Sequence, residues 1–213
     1  MHVETVFFDL DGTLTDPFEG IGGSIRYALE SLGVPVPDDD TLRSYVGPPL
    51  MQTFRDLVGE DRARHALTLY RERFGLEGWM QNRPYDGIHE ALDTTKQAGR
   101  RLFVTTSKPT VYAERIVEHF SLDGFFDGIY GAELDGTRSN KSELVEWALG
   151  QVEPRGAAVI VGDRKHDIIA GLDNMLGVIG VLYGFGTIGE LRTAGAEKIA
   201  ERPSDIPALI DQE

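Results

Sequence analysis

Short apolar runs without polar interruption alternate with longer amphipathic stretches along this chain. A parallel sheet wrapped by helices satisfies that pattern, and most other architectures do not. Val6-Phe7-Phe8 has no polar alternation and reads as a strand buried on both faces. Residues 102–104, 157–161 and 178–182 read the same way. Helical periodicity over residues 88–97, 110–119, 141–149, 167–172 and 188–193 predicts the intervening helices. Each strand end meets a Gly, Asp, Ser or Thr before the next helix begins. Ligands of such open sheets bind beyond the carboxyl ends of the strands, so those junctions are where chemistry is sought.

One segment breaks the alternation. From Asp16 to Arg83 there is helical periodicity but no convincing strand: Ile21, Ile25, Ala28, Leu29 and Leu32 recur at helical spacing, as do Leu67, Tyr70, Arg71 and Phe74. Asp16-Pro17 predicts a helix start, with an N-cap oxygen and Pro at the first helical position. Val34-Pro35-Val36-Pro37 and Gly47-Pro48-Pro49 punctuate the segment, and residues 82–87 return the chain to the sheet. The expected organisation is therefore an α/β core of residues 1–15 and 84–213, with residues 16–83 inserted as a helical lid after the first strand.

Composition removes several function classes. The 213 residues include no Cys, which excludes disulfides, thiolate metal sites and cysteine nucleophiles. With 21 Lys+Arg against 35 Asp+Glu the formal charge is −14, and no basic cluster offsets it, so no nucleic-acid partner is expected. No apolar run is long enough to span a bilayer, and Glu4, Asp9 and Asp11 do not suit a leader peptide, so no membrane partner and a cytoplasmic location are expected.

The acidic residues at the strand ends carry the chemistry. Asp9 and Asp11 lie at positions i and i+2 of an extended backbone, so they share one face, and Gly12 permits a sharp turn after them. Either could be ordinary turn chemistry. A second pair, Asp163 and Asp167, follows the 157–161 strand and would share a helix face if the helix starts there. Each alone could cap that helix, but four carboxylates gathered at one sheet edge need a hard cation. An oxygen-only set with few ligands suits magnesium. Thr105, Thr106 and Ser107 precede a Pro-started helix whose free N–H groups can hold an anion. Lys141 opens another helix, where its charge opposes the dipole; it is either solvated there or met by a nearby anion, for which Arg138, three residues earlier, is a candidate contact.

Asp9-Leu10-Asp11-Gly12-Thr13, a strand-end Thr106, Lys141 and Gly162-Asp163-x-x-x-Asp167 stand in order and at the spacing of the haloacid-dehalogenase-like phosphohydrolases, which the chain resembles nearly end to end. It is most similar to their phosphoglycolate-phosphatase-like branch, through Asp9 to Asp16, Tyr45 to Leu50, Thr106 to Pro109, Leu134 to Lys141 and Gly162 to Ile168. The resemblance implies a Rossmann-like three-layer parallel-sheet core with an all-helical cap. It implies that Asp9 is the nucleophile, forming an aspartyl-phosphate, and that Asp11 is the general acid and base. It further implies a magnesium ion on Asp9, Asp163 and the Asp11 backbone carbonyl, with Asp167 acting through a water. Thr106, its neighbouring amides including that of Ser107, and Lys141 would hold the phosphoryl oxygens.

The implied function is hydrolysis of a small-molecule phosphomonoester by a monomer or homodimer, phosphoglycolate being the first candidate. A 5′-nucleotidase, a pyrophosphatase, or a phospho-aspartate sensing module without turnover are the alternatives. Residues 16–83 contain no lysine, only arginines, which excludes relatives that need a cap lysine for an imine. The Gly47-Pro48-Pro49 turn could place cap residues such as Arg43 or Arg55 toward the leaving group, although a solvated arginine on a helix surface is the favoured reading of each. Gly184-Phe185-Gly186-Thr187-Ile188-Gly189 fits a dinucleotide-binding glycine pattern, but only 24 residues follow it in this sequence, too few for a nucleotide-binding half. It reads as a loop near the rim of the site.

Overall fold

The computed structural model describes residues 3–152 and 156–212. In chain order the strands are β1 (Val3–Phe8), β2 (Thr15–Asp16), β3 (Arg83–Pro84), β4 (Arg101–Pro109), β5 (Gly128–Ala132), β6 (Ala157–Gly162), β7 (Gly177–Val181) and β8 (Lys198–Ala200). The helices are α1 (Phe18–Ser31), α2 (Asp39–Ser44), α3 (Leu50–Val58), α4 (Glu60–Leu76), α5 (Ile88–Gln97), α6 (Thr110–His119), α7 (Lys141–Val152), α8 (Lys165–Asp173), α9 (Ile188–Ala194) and α10 (Ile206–Ile210). Two compact units result, Met1–Thr15 with Pro84–Glu213, and Asp16–Arg83. The chain crosses between them at β2 and β3, which pair as a two-stranded ribbon.

The first unit is a six-stranded sheet in the order β5-β4-β1-β6-β7-β8, every neighbouring pair parallel. β1 lies in the middle because its run is apolar on both faces: Val6, Phe7 and Phe8 are all buried. Phe7 stands level with Phe103 of β4 and Ile160 of β6, and this row packs beneath Val145, Ala148 and Val152 of α7 and Ile168 of α8. α6 lies against β4 and β5, while α10 packs on α5, β7 and β8, so helices cover both faces. Parallel register brings the carboxyl ends of β1, β4 and β6 side by side, since Phe8 pairs with both Val104 and Val161. Among the described residues no helix is long and apolar enough to cross a membrane.

The second unit is helical and has its own core. Ile21, Ile25, Ala28 and Leu29 of α1 are buried, as are Ala63, Ala66, Leu67, Tyr70 and Phe74 of α4. Tyr70 stacks on Phe74 at 5.5 Å between ring centroids and meets Phe54 of α3 edge-on at 6.0 Å. α1 begins one residue later than Asp16-Pro17 predicts. Pro17 is the cap residue itself, and the Asp16 carboxylate accepts the Phe18 N–H at 3.0 Å.

Phe103 is 1% exposed and touches both Phe7 (5.6 Å) and Tyr130 (6.1 Å). Phe103→Ala is expected to lower the unfolding free energy by about 3–5 kcal/mol, read from the urea midpoint, because the tight centre of a parallel sheet cannot collapse onto the void.

Candidate active site

Asp9 is the first residue beyond β1, and its N–H donates to the Val161 carbonyl at 2.9 Å, locking the strand end to β6. Asp163 follows β6 by one residue and is fully buried. α8 starts only at Lys165, so Asp163 and Asp167 do not share a helix face as the i, i+4 spacing predicts. They meet because Asp167 sits in the first turn, turned back toward the strand end, where its Oδ2 accepts the Arg164 N–H at 3.1 Å. One carboxylate oxygen each from Asp9, Asp163 and Asp167 lies within 4.8 Å of the others, although Asp9 and Asp163 stand 154 positions apart.

Lys141 reaches this group from the start of α7. Its ammonium donates to Asp9 Oδ1 at 2.5 Å, Asp167 Oδ1 at 2.7 Å and the Thr105 carbonyl at 2.8 Å. All three of its protons are therefore placed. Burial opposes the charge on Lys141, but Asp167 and Asp9 outweigh it and hold the pKa above the ordinary lysine value. Asp9 is pushed up to about 7, chiefly by burial and then by the Asp167 and Asp11 charges, against the pull of Lys141. Burial, with Asp167 and Asp9, also raises the Asp163 carboxyl well above the usual range.

A second lysine completes the set. β4 runs through Lys108 to Pro109, whereas the apolar pattern ends it at Val104. On that extended strand Lys108 shares a face with Thr106, and its buried ammonium lies 2.6 Å from Asp11 Oδ2. The Asp11 Oδ1 atom is buried and accepts no hydrogen bond. Sequence reasoning passed over Lys108 because the following proline drew the reading toward a helix start. The i, i+2 relation to Thr106 was the signal that could have found it.

The other expected residues divide. Thr106 is buried, and its Oγ1 accepts the Lys108 N–H at 3.2 Å. Ser107 points outward and donates to the Ser139 carbonyl at 3.4 Å. Arg138 is engaged elsewhere: it pairs with Glu133 and lies over the Trp147 ring at 4.2 Å. Within the helical unit, Arg43 lies 3.9 Å over the Phe18 ring, and Arg55 pairs with Glu60 at 2.8 Å.

The donor set fits a divalent cation. Among the described residues Asp9, Asp11 and Asp167 pair with Lys141 and Lys108, while Asp163 feels Arg164, itself paired with Glu190, so the carboxylates at the strand ends outnumber the cations that meet them. Burial first, and then the neighbouring carboxylates, raise Asp9 and Asp163 above the usual range. Hard carboxylate oxygens and no nitrogen or sulfur ligand match a cation such as magnesium.

Known proteins resemble this chain in sequence and in fold. A family model described as haloacid dehalogenase-like hydrolase matches residues 6–181. A 5′-nucleotidase of Pseudomonas aeruginosa is 47% identical over 198 residues, covering 90% of this chain and 88% of its own. A protein named tyrosine-protein kinase PtkA from Mycobacterium tuberculosis is 40% identical over 86% of this chain, which spans 63% of that protein's length. A crystal structure described as a predicted phosphatase from Clostridium acetobutylicum superposes with a TM-score of 0.94 at 39% identity, covering all of both chains.

The Asp9 value sets a pH dependence. Its folded pKa of about 7 lies above the unfolded value of about 3.9, so between those limits the folded, metal-free chain holds a proton that the unfolded chain releases. Stability in EDTA is therefore expected to fall by about 1–3 kcal/mol as pH rises from about 4 to 7, measured by urea unfolding, with a flatter profile in Asp9→Asn. Asp163→Asn removes one surplus charge and is expected to raise the melting temperature in EDTA while erasing any rise caused by divalent cations.

Proposed function

The chain belongs to the haloacid dehalogenase-like hydrolase family, and on that premise we propose that it hydrolyses small phosphomonoesters with magnesium, through an aspartyl-phosphate on Asp9. The observation that carries this reading is the meeting of Asp9, Asp163 and Asp167, with the Lys141 ammonium bonded to Asp9 and Asp167. Asp9, Asp163 and the Asp11 backbone carbonyl would hold the ion, with Asp167 behind them. Bound there, the ion would neutralise charge on the phosphoryl oxygens and keep Asp9 ionised.

The steps belong to the chain. A carboxylate oxygen of Asp9 attacks phosphorus as the bond to the leaving oxygen breaks, and the Asp11 carboxyl gives that oxygen its proton. Water then attacks the aspartyl-phosphate, Asp11 takes a proton from it, and inorganic phosphate leaves with Asp9 restored. Lys141, the Thr106 hydroxyl and nearby amides would bind the equatorial oxygens, where charge gathers. Lys108 would hold the Asp11 carboxylate in place between the two proton transfers. The helical unit would act as a cap that excludes water.

The 47% identical relative favours nucleoside 5′-monophosphates as substrates, and the resemblance to the phosphoglycolate-phosphatase-like branch favours phosphoglycolate. Both are small phosphomonoesters. A phosphate-release screen over nucleoside monophosphates, phosphoglycolate, sugar phosphates and pyrophosphate separates them, and a response to pyrophosphate alone would overturn the reading. Persistent phosphorylation of Asp9 without phosphate release would instead identify a sensing module.

Asp9→Asn is expected to reduce phosphate release by at least about 10³-fold, and Asp11→Asn by about 10²–10⁴-fold. The Asp11→Asn loss should be smaller for p-nitrophenyl phosphate than for an alkyl phosphate, because the aryl leaving group needs less protonation. EDTA should abolish turnover in the wild type, and added magnesium should restore it.

A further inference from the structure

The glycine-rich loop that follows β7 was assigned no chemistry by its sequence pattern, yet it closes directly on Asp163. We propose that residues 183–186 form a positioning element that holds the Asp163 carboxylate toward Asp9 and Asp167 and thereby sets the affinity of the site for a divalent cation. The inference rests on the metal-dependent reading above.

Four contacts support it. The Phe185 N–H donates to Asp163 Oδ2 at 2.8 Å. That bond occupies one oxygen, while the other has only the Thr13 hydroxyl at 3.5 Å, the far edge of a hydrogen bond, and so is left for a cation. The loop comes this close because it lacks side chains. A Cβ on Gly184 would stand 2.2 Å from the Gly12 carbonyl oxygen and 2.5 Å from Asp163 Cβ, and one on Gly186 would stand 1.8 Å from the Asp163 carbonyl oxygen. Gly12 closes the opposite side, at φ +89°, where an added Cβ would fall 2.2 Å from Asp163 Oδ2. Finally, the half-buried Tyr183 donates its hydroxyl hydrogen to the Thr13 carbonyl at 3.0 Å, tying the loop to the turn that carries Asp9 and Asp11.

A loop that merely filled space would need small residues but no donor aimed at the carboxylate. Here a backbone N–H fixes one oxygen and two glycines fix the carbon frame, so the carboxylate has one rotamer before any cation arrives. Preorganisation of this kind is what outer partners supply to ligands of a metal ion.

The test is calorimetric titration of the full-length protein with magnesium chloride, for the wild type and for Gly186→Ala, Tyr183→Phe and Phe185→Leu, with melting temperatures in EDTA. Gly186→Ala is expected to weaken magnesium binding at least about tenfold. Tyr183→Phe, nearly isosteric, is expected to weaken it about two- to tenfold. Phe185→Leu keeps the backbone N–H and should bind within about twofold of the wild type. The magnesium concentration giving half-maximal phosphate release should rise in parallel in the first two variants. Wild-type affinity in both of them would overturn the inference alone. If Gly186→Ala does not fold, Tyr183→Phe decides between the same two results. A wild type that takes up no magnesium would overturn the metal reading, and this inference with it.

Discussion

Gathering four carboxylates at one edge of a sheet, three of them buried, is the constraint on which this architecture turns. A parallel sheet makes the convergence geometrically simple, because every strand delivers its carboxyl end to the same side. It makes the electrostatics hard, because the same packing that buries Phe7, Phe103 and Ile160 removes water from the aspartates just beyond them. Uncompensated, one such charge would cost several kcal/mol. Lys141 is the first compensation, bonded to Asp9 and Asp167 at once, and Lys108 is the second, on Asp11. Two lysines against four aspartates leave an acidic surplus, so the imbalance that weakens the fold is the same imbalance that would suit the site to a cation.

The two lysines divide this labour by origin. Lys141 comes from a helix start and bridges the end of β1, at Asp9, to the first turn of α8, at Asp167. Lys108 comes from β4 itself and touches a carboxylate that the Lys141 ammonium does not reach. An arginine in either place would need more room, and its planar fork would not offer three protons to three oxygens spread around a point, as Lys141 does.

Much of this was legible in the amino-acid sequence, for identifiable reasons. α5 and α6 begin and end where their periodicity does, at Ile88–Gln97 and Thr110–His119, because an apolar stripe fixes both the element and its buried face. β5 and β8 escaped notice because Gly128–Ala132 and Lys198–Ala200 are short edge strands, half-buried and weakly apolar. The four aspartates were visible because carboxylates at consecutive strand ends are chemically conspicuous. Their geometry was not, since it depends on where α8 starts and on an Asp167 side chain that bends back to the Arg164 N–H. The 183–186 loop was misjudged for a related reason. A glycine records what it lets approach, and the partner, Asp163, lies some twenty residues earlier in the chain.

The helical unit shows the complementary solution to the problem of charge. Its basic residues are arginines, and four of them are satisfied inside the unit: Arg26 by Asp39, Arg55 by Glu60, Arg62 by the Leu32 carbonyl, and Arg73 by Ser24, Glu77 and Gln81. Arg43 is held by a ring face rather than a carboxylate. Multidentate guanidinium groups suit this work, since each can tie a helix to a loop or to a second helix without leaving a surplus. With its own aromatic core around Tyr70 and many of its arginines met locally, the segment from Asp16 to Arg83 is a compact unit in its own right. That self-sufficiency is what allows about a third of the chain to be inserted a few residues after Asp9 without disturbing the strand that positions it.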